Sequence, residues 1–167
     1  AGARNNSAAQ YHFGTKDALV EAILLKHRLP IETRRGELLE QAIRDGREKD
    51  LYTLIAALSL PLLEQTNPEG RHTYAAFVAS VSRIRLYVTR VALNPSFPVT
   101  QDIVKRIAGL IPKMPELYFN SRLQVLADMT TGVLQRVDAA GLDTPTAKSL
   151  FDDMLRMAAA MFAAAAK

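Results

Sequence analysis

The sequence predicts an all-α protein, and three observations support this fold class. Apolar residues recur at steps of three and four along most of the 167 residues, which is the spacing of one helix face. No segment carries the alternating pattern of a strand or the turn signal of a hairpin. Hydrophobic residues make up 49% of the chain, enough to build the core of about one domain.

The first long helix is predicted to begin after Thr15, which suits the N-cap and gives Lys16 the first helical position. Pro30 is expected to interrupt or kink this helix, and the apolar pattern resumes through residues 38–43. A second helix is predicted over residues 50–64, with Pro61 disturbing its end.

The turn sequence NPEG precedes a third predicted helix, from His72 to Leu93. A shorter helix is predicted over residues 99–111, and a long one over 116–140 with Gly141 as its stop. The last helix is predicted to use Thr144 as N-cap, with a proline at its first position.

Composition narrows the function classes. The chain has no cysteine, so a disulfide framework and a thiolate zinc site are excluded. No apolar run approaches the roughly 20 residues of a membrane span, and the first residues lack the apolar core of a signal peptide. The formal charge of +4 is compatible with nucleic acid but does not require it. We expect a cytoplasmic protein without cofactor.

The opening stretch NNSAAQYHFGTKDALVEAI is a polar cluster that leads into an amphipathic helix. Residues 6–12 could form two helical turns, with Gly14 suited to a left-handed C-terminal position. Lys16 at a helix N-terminus opposes the macrodipole by about 0.3–1 kcal/mol, but a bound phosphate would reverse that sign. Asparagine, glutamine and arginine read base edges, and small residues let a helix enter a groove. The alternative is an ordinary polar loop.

The same stretch resembles the end of the helix-turn-helix of TetR-type transcriptional regulators. Their signature is a turn glycine, a short recognition helix, an aromatic-rich segment such as Y-x-H-F, and then G-S-K-E-x-L. Gln10 stands where many members have Tyr or Asn, and Thr15 replaces the usual Ser. The matching residues are Gly2, Tyr11, His12, Phe13, Gly14, Lys16, Asp17 and Leu19.

The resemblance implies a nine-helix homodimeric regulator, with residues 1–28 as the remainder of the DNA-binding domain and residues 29–167 as the ligand-binding and dimerisation domain. Members carry two further helices before this point, whereas this sequence starts at the turn. Two recognition helices are expected to enter successive major grooves of a palindromic operator. A small molecule is expected to control binding, with repression favoured over activation. The implied DNA-binding residues are Arg4, Asn5, Asn6, Ser7, Gln10, Tyr11, His12 and Lys16.

The predicted third helix carries a basic stripe, because residues 71–101 contain four arginines and no acidic residue. One interpretation is a solvated face or a face turned to another subunit. The other is a cavity wall that binds an anionic group, with aromatic residues as further walls or simply as core. The candidate pocket residues are Tyr74, Phe77, Arg83, Tyr87, Arg90 and Tyr118.

The last two helices are the predicted dimer interface. The final helix is apolar around most of its last three turns, so it needs cover on more than one side. A second copy could supply one cover, giving a four-helix bundle across a two-fold axis. The candidate interface residues are Leu126, Val133, Met154, Met157 and Met161.

Other functions find little support in the sequence. The three histidines have no metal-ligand spacing, and His27 is expected on a solvated helix face. Asp152 and Asp153 are also expected to face solvent. No P-loop or Rossmann pattern and no triad context appears, so we predict no enzyme. A helical ligand carrier or interaction module without a DNA role remains the alternative function.

Overall fold

The computed structural model describes residues 15–82 and 97–165, and these residues form six helices and no strand. The predicted all-α class is therefore confirmed. The predicted recognition helix and residues 83–96 lie outside the described residues. The helices are α1 (Lys16–Arg44), α2 (Leu51–Glu64), α3 (Thr73–Ser82), α4 (Pro98–Leu110), α5 (Glu116–Ala140) and α6 (Thr144–Ala163).

Helix α1 is one continuous helix of 29 residues. Its N-cap is Thr15, as predicted, and the Thr15 hydroxyl accepts the backbone N–H of Ala18 at 3.1 Å. The expected interruption at Pro30 does not occur, although this residue lacks the N–H of an i→i−4 bond. Packing on both sides of Pro30 explains the continuity. Leu24 and Ile31 share one buried cluster, so tertiary contacts hold both halves of the helix in register.

Residue 28, the predicted limit of the DNA-binding domain, lies within this continuous helix. The C-terminal half of α1 is also tied to α2. Arg34 donates from Nε and Nη2 to the two carboxylate oxygens of Glu64, at 2.7 and 2.9 Å. The pKa of Arg34 is raised by these bonds and by a further bond to Glu37.

The C-terminus of α5 and the N-terminus of α6 are each set by residues close by in the sequence. Gly141 ends α5 in the left-handed conformation, with φ of 61°, which a glycine adopts without steric cost. The N-cap of α6 is Asp143 rather than the predicted Thr144. The Asp143 carboxylate accepts the backbone N–H of Thr146 at 2.9 Å. The pKa of Asp143 is lowered by the side chain of Thr146 and, to a smaller extent, by this backbone bond.

Helix α2 is the centre of the fold and packs against α1, α4, α5 and α6. Its residues 54–59 are all buried, which explains why this segment is apolar on more than one face. Helices α5 and α6 pack side by side, and α3 packs against α5. None of the six helices described here is both long and apolar enough to cross a membrane.

The residues predicted for a dimer interface divide into three groups. Leu126 and Met154 are 3% and 0% exposed and pack in the core of their own chain, so their side chains do not face a second copy. Val133 and Met161 are partly buried against the same core. Met157 is 51% exposed. The sequence marks these positions as apolar but does not distinguish the inner face of a helix from its outer face.

Candidate ligand-binding cavity

A cavity of about 130 Å³ lies among α1, α2, α3, α4 and α5. Most of its wall is apolar, and the polar groups are two guanidinium groups, a phenol and several hydroxyls. This composition is typical of small-molecule sites, which combine apolar walls with a few polar groups that fix orientation. The wall residues are Arg28, Ile31, Arg35, Leu58, Ser59, Leu62, Tyr74, Val78, Thr100, Val104, Leu123, Leu126, Ala127, Thr130 and Thr131.

Arg35 is the most constrained polar group of the wall. Its Nε and Nη2 donate to the Leu58 carbonyl oxygen at 2.9 and 2.8 Å, and its Nη1 donates to the Thr100 hydroxyl at 2.9 Å. Burial lowers the pKa of Arg35 to about 10. The side chain therefore stays cationic at neutral pH, in surroundings that make its charge unfavourable.

Glu32 is the acidic group closest to this network. Its Oε1 accepts the backbone N–H groups of Val99 (2.7 Å) and Thr100 (2.9 Å), and its Oε2 accepts the Thr100 hydroxyl at 2.5 Å. Helix α4 lacks a side-chain cap of its own and has Pro98 at its start. Glu32 therefore caps α4 from α1, and its negative charge is directed at a helix N-terminus.

Arg28 lies seven residues, or about two helical turns, before Arg35 and so is on the same face of α1. Its guanidinium carbon lies 4.6 Å from the centroid of the Phe97 ring, within the range of a cation–π contact. Arg28 also adds positive charge near Arg35, which contributes to lowering the pKa of Arg35 after the larger effect of burial. The cavity thus has two cationic groups on one wall.

Tyr74 lines the cavity and also contacts His27 on α1. Its ring stacks on His27 with centroids 4.3 Å apart, so His27 is half-buried rather than on a solvated face as predicted. Burial lowers the pKa of His27, and the Lys26 charge adds to this effect. Burial also raises the pKa of Tyr74, against an opposing effect of Arg28 and Arg35. Both rings are therefore neutral at neutral pH.

The hydroxyls on the α5 side are satisfied within their own helix. Thr130 donates to the Leu126 carbonyl oxygen at 2.8 Å, and Thr131 donates to the Ala127 carbonyl oxygen at 2.9 Å. Each hydroxyl oxygen keeps acceptor capacity, because a hydroxyl has two lone pairs. This side of the cavity can accept a hydrogen bond from a ligand, but it carries no charge.

A second, wider cleft of about 650 Å³ includes residues of α2 and α6 together with His72. His72 has a partner for each ring nitrogen: Nδ1 lies 2.7 Å from Asp138 Oδ1 and Nε2 lies 3.2 Å from the Leu63 carbonyl oxygen. Neither nitrogen is left to exchange a proton with a substrate in this arrangement. The cleft therefore lacks the convergent reactive groups of an active site at His72.

Asp152 lies in the same cleft, and its side chain is 43% exposed, in keeping with the predicted solvent-facing position. It also accepts the Tyr52 hydroxyl and the Arg156 Nε, the latter at 3.0 Å. The bond from Tyr52 lowers the pKa of Asp152, with a smaller contribution from Arg156. Asp153 is exposed, as expected.

The sequence-predicted pocket residues fall in different places. Tyr74 lines the cavity, and Phe77 packs beside it at a ring distance of 6.4 Å. Tyr118 is 47% exposed at the start of α5 and does not line the cavity, so it is removed from the pocket set. The predicted arginines and tyrosine at positions 83, 87 and 90 lie outside the described residues.

The predicted DNA-binding residues at positions 4–7 and 10–12 also lie outside the described residues. The backbone of Lys16 begins α1, at the first helical position that the sequence predicts for it. Arg28 and Arg35 are not among the residues predicted to line a pocket. Their spacing nevertheless carries a signal, because both arginines fall in step with the inward-facing Leu24 and Ile31, where a solvated charge is not expected.

Comparison with known proteins returns no match: no family profile, no curated protein and no solved structure is significantly similar to this chain.

The fold and the cavity define the class as an all-helical protein with a cavity whose wall carries two arginines. Within the described ranges, no group of three or more histidine, aspartate or glutamate residues is placed to hold a metal ion.

Proposed function

We propose that this chain is the ligand-sensing part, together with the recognition helix, of a TetR-type DNA-binding transcriptional regulator. One observation supports the link between sensing and DNA binding more than any other. Helix α1 begins at Lys16, beside the segment that resembles a recognition helix, and continues without a break to the cavity residues Arg28 and Arg35. Lys16 and Arg28 are about 18 Å apart along this helix, at about 1.5 Å per residue.

A continuous helix can transmit a change at the cavity to the DNA-binding end. A ligand beside Arg28 or Arg35 that favours one position of α1 would also move Lys16 at the start of the same helix. The ligand can act only through different affinities for the DNA-bound and DNA-free positions of this helix. Repression that is relieved by the ligand is the outcome expected from the resemblance.

The proposal includes a homodimer that binds a palindromic operator. Leu150 and Met157 of α6 are 43% and 51% exposed, and their spacing of seven residues places them on one face of that helix. On the adjacent α5, Val125 is 41% exposed. These apolar side chains favour a two-fold contact through the outer faces of α5 and α6, with exposed Asp153 near the seam.

The direct test is selection of bound duplexes from a random-sequence DNA pool by the protein expressed from its complete reading frame. We expect enrichment of a palindrome whose half-sites lie one helical turn apart. Enrichment of no sequence, with salt-insensitive or absent binding to duplex DNA, would leave the alternative of a helical ligand-binding module without a DNA role.

A further inference from the structure

The charge of Arg35 is only partly compensated by its surroundings. Its three hydrogen bonds use three of the five guanidinium N–H donors, which leaves two donors on a residue that lines the cavity. Among residues 15–82 and 97–165, no carboxylate oxygen lies within 4.0 Å of this guanidinium. Arg35 is half-buried, and a cation held mostly out of water without such a partner is costly, so an anion that enters the cavity would reduce that cost.

Glu32 does not fill this role. Its carboxylate is directed at the N-terminus of α4, and it reaches Arg35 only through the Thr100 hydroxyl, which accepts from Arg35 and donates to Glu32. Glu32 is also not among the residues that line the cavity. The negative charge of Glu32 is therefore held behind Thr100 rather than beside the space where a ligand would lie.

The rest of the wall is mostly apolar and favours a ligand with an apolar body. Its side chains include Ile31, Leu62, Val78, Val104 and Leu123, which offer no charge and no hydrogen-bond donor. A cavity of about 130 Å³ is several times larger than the roughly 10–15 Å³ that one water needs, so it has room for a small molecule on the order of ten non-hydrogen atoms. The cavity thus combines two cationic groups with a mostly apolar wall.

We propose that the cavity binds a small carboxylic acid with an apolar body, whose carboxylate faces Arg35 and Arg28 and whose hydrocarbon part lies against Ile31, Val104 and Leu123. Arginine is suited to this contact because its planar group can donate two parallel hydrogen bonds to a carboxylate. This inference rests on one part of the proposed function, namely that the cavity is a ligand-binding site. It does not depend on the proposed binding of DNA.

Octanoate is a matched probe, because it has a carboxylate and about the number of atoms that the cavity accepts. Octanamide has the same shape without the charge. Calorimetric titration of the chain with each compound should give saturable binding of octanoate, with octanamide about tenfold or more weaker, as expected for the loss of a charge-assisted hydrogen bond.

Variants locate the contact. Arg35→Met should weaken octanoate binding by about 10- to 100-fold and reduce the preference over octanamide. Arg34→Met is the matched control. Arg34 immediately precedes Arg35 in α1 but donates hydrogen bonds to Glu37 and Glu64, which do not line the cavity. Its binding should be unchanged. Ala127→Leu fills the cavity without altering either arginine, so it should reduce binding of octanoate even if Arg35→Met does not fold.

Four results would overturn the inference: no saturable octanoate binding, equal affinity for octanoate and octanamide, unchanged affinity in folded Arg35→Met, or unchanged affinity in Ala127→Leu. Equal affinities that are both lost in Ala127→Leu would remove the acid class and still leave the cavity as a ligand site. A failure of DNA selection, by contrast, would remove the regulator proposal and leave octanoate binding unaffected.

Discussion

Glu32 on α1 accepts the backbone N–H of Thr100 on α4 at 2.9 Å, although the two residues are 68 positions apart in the sequence. The same carboxylate accepts the Val99 N–H and the Thr100 hydroxyl, so one buried side chain caps a helix to which it does not belong. This arrangement fixes α4 beside the part of α1 that lines the cavity.

Glu32→Ala should therefore lower the free energy of unfolding by about 2–3 kcal/mol, because it leaves the donors at the start of α4 without their charged acceptor in a buried site. Urea unfolding followed by circular dichroism measures the change. Glu37→Ala removes an exposed carboxylate from the same helix and should change stability by at most about 0.5 kcal/mol. Equal effects of the two substitutions would contradict the capping role.

The bond between Tyr52 and Asp152 predicts a pH dependence. Asp152 has a folded-state pKa below its usual 3.8, mainly because of the Tyr52 hydroxyl, so the bond contributes stability above pH 3.8 that is lost as pH falls through the lower folded-state pKa. Tyr52→Phe should lower stability at pH 7, and the difference from the unmodified chain should shrink as the pH falls below 3.8.

Urea titrations at several pH values measure this difference. Tyr118→Phe is the control, because Tyr118 is exposed, and its stability should follow that of the unmodified chain at every pH. A Tyr52→Phe difference that stays constant down to the acid transition would show that the hydroxyl does not act through the Asp152 carboxylate.

Met157 offers a test of the dimer that does not disturb the core. Because its side chain is 51% exposed, Met157→Asp should leave the chain folded but place a charge in the proposed seam, giving monomers in sedimentation experiments. Thr33→Asp adds the same charge at an exposed position of α1 and should leave the oligomeric state unchanged. An unmodified chain that sediments as a monomer at micromolar concentration would rule out this interface.

Lys16 is the one predicted DNA-binding residue that lies within residues 15–82 and 97–165. In the protein from the complete reading frame, Lys16→Ala should weaken binding to all duplexes and reduce the salt slope by about one unit, as expected for the loss of one phosphate contact. Lys26→Ala removes an exposed lysine further along α1 and should keep the slope. Gln10→Ala should instead relax the preference at particular bases.

Local signals determined much of the secondary structure. Thr15 caps α1, Gly141 ends α5, and the limits of α5 follow the sequence pattern, because caps, left-handed glycines and helical periodicity depend on neighbouring residues. The N-cap of α6 was misplaced by one residue, since Asp143 and Thr144 are both good capping residues and only the backbone conformation selects between them.

The tertiary structure decided the rest. Pro30 remains inside α1 because contacts on both sides hold the helix, and no local signal reports those contacts. Periodicity marked Leu126 and Met154 as apolar but could not tell a face covered by the chain itself from one left for a partner. The place of Arg35 in the cavity depends on the packing of α2 and α4, which bring the Leu58 carbonyl and the Thr100 hydroxyl to its guanidinium. Such pairings join residues far apart in sequence, so they arise from the packing of whole helices and are invisible in the spacing of any one of them.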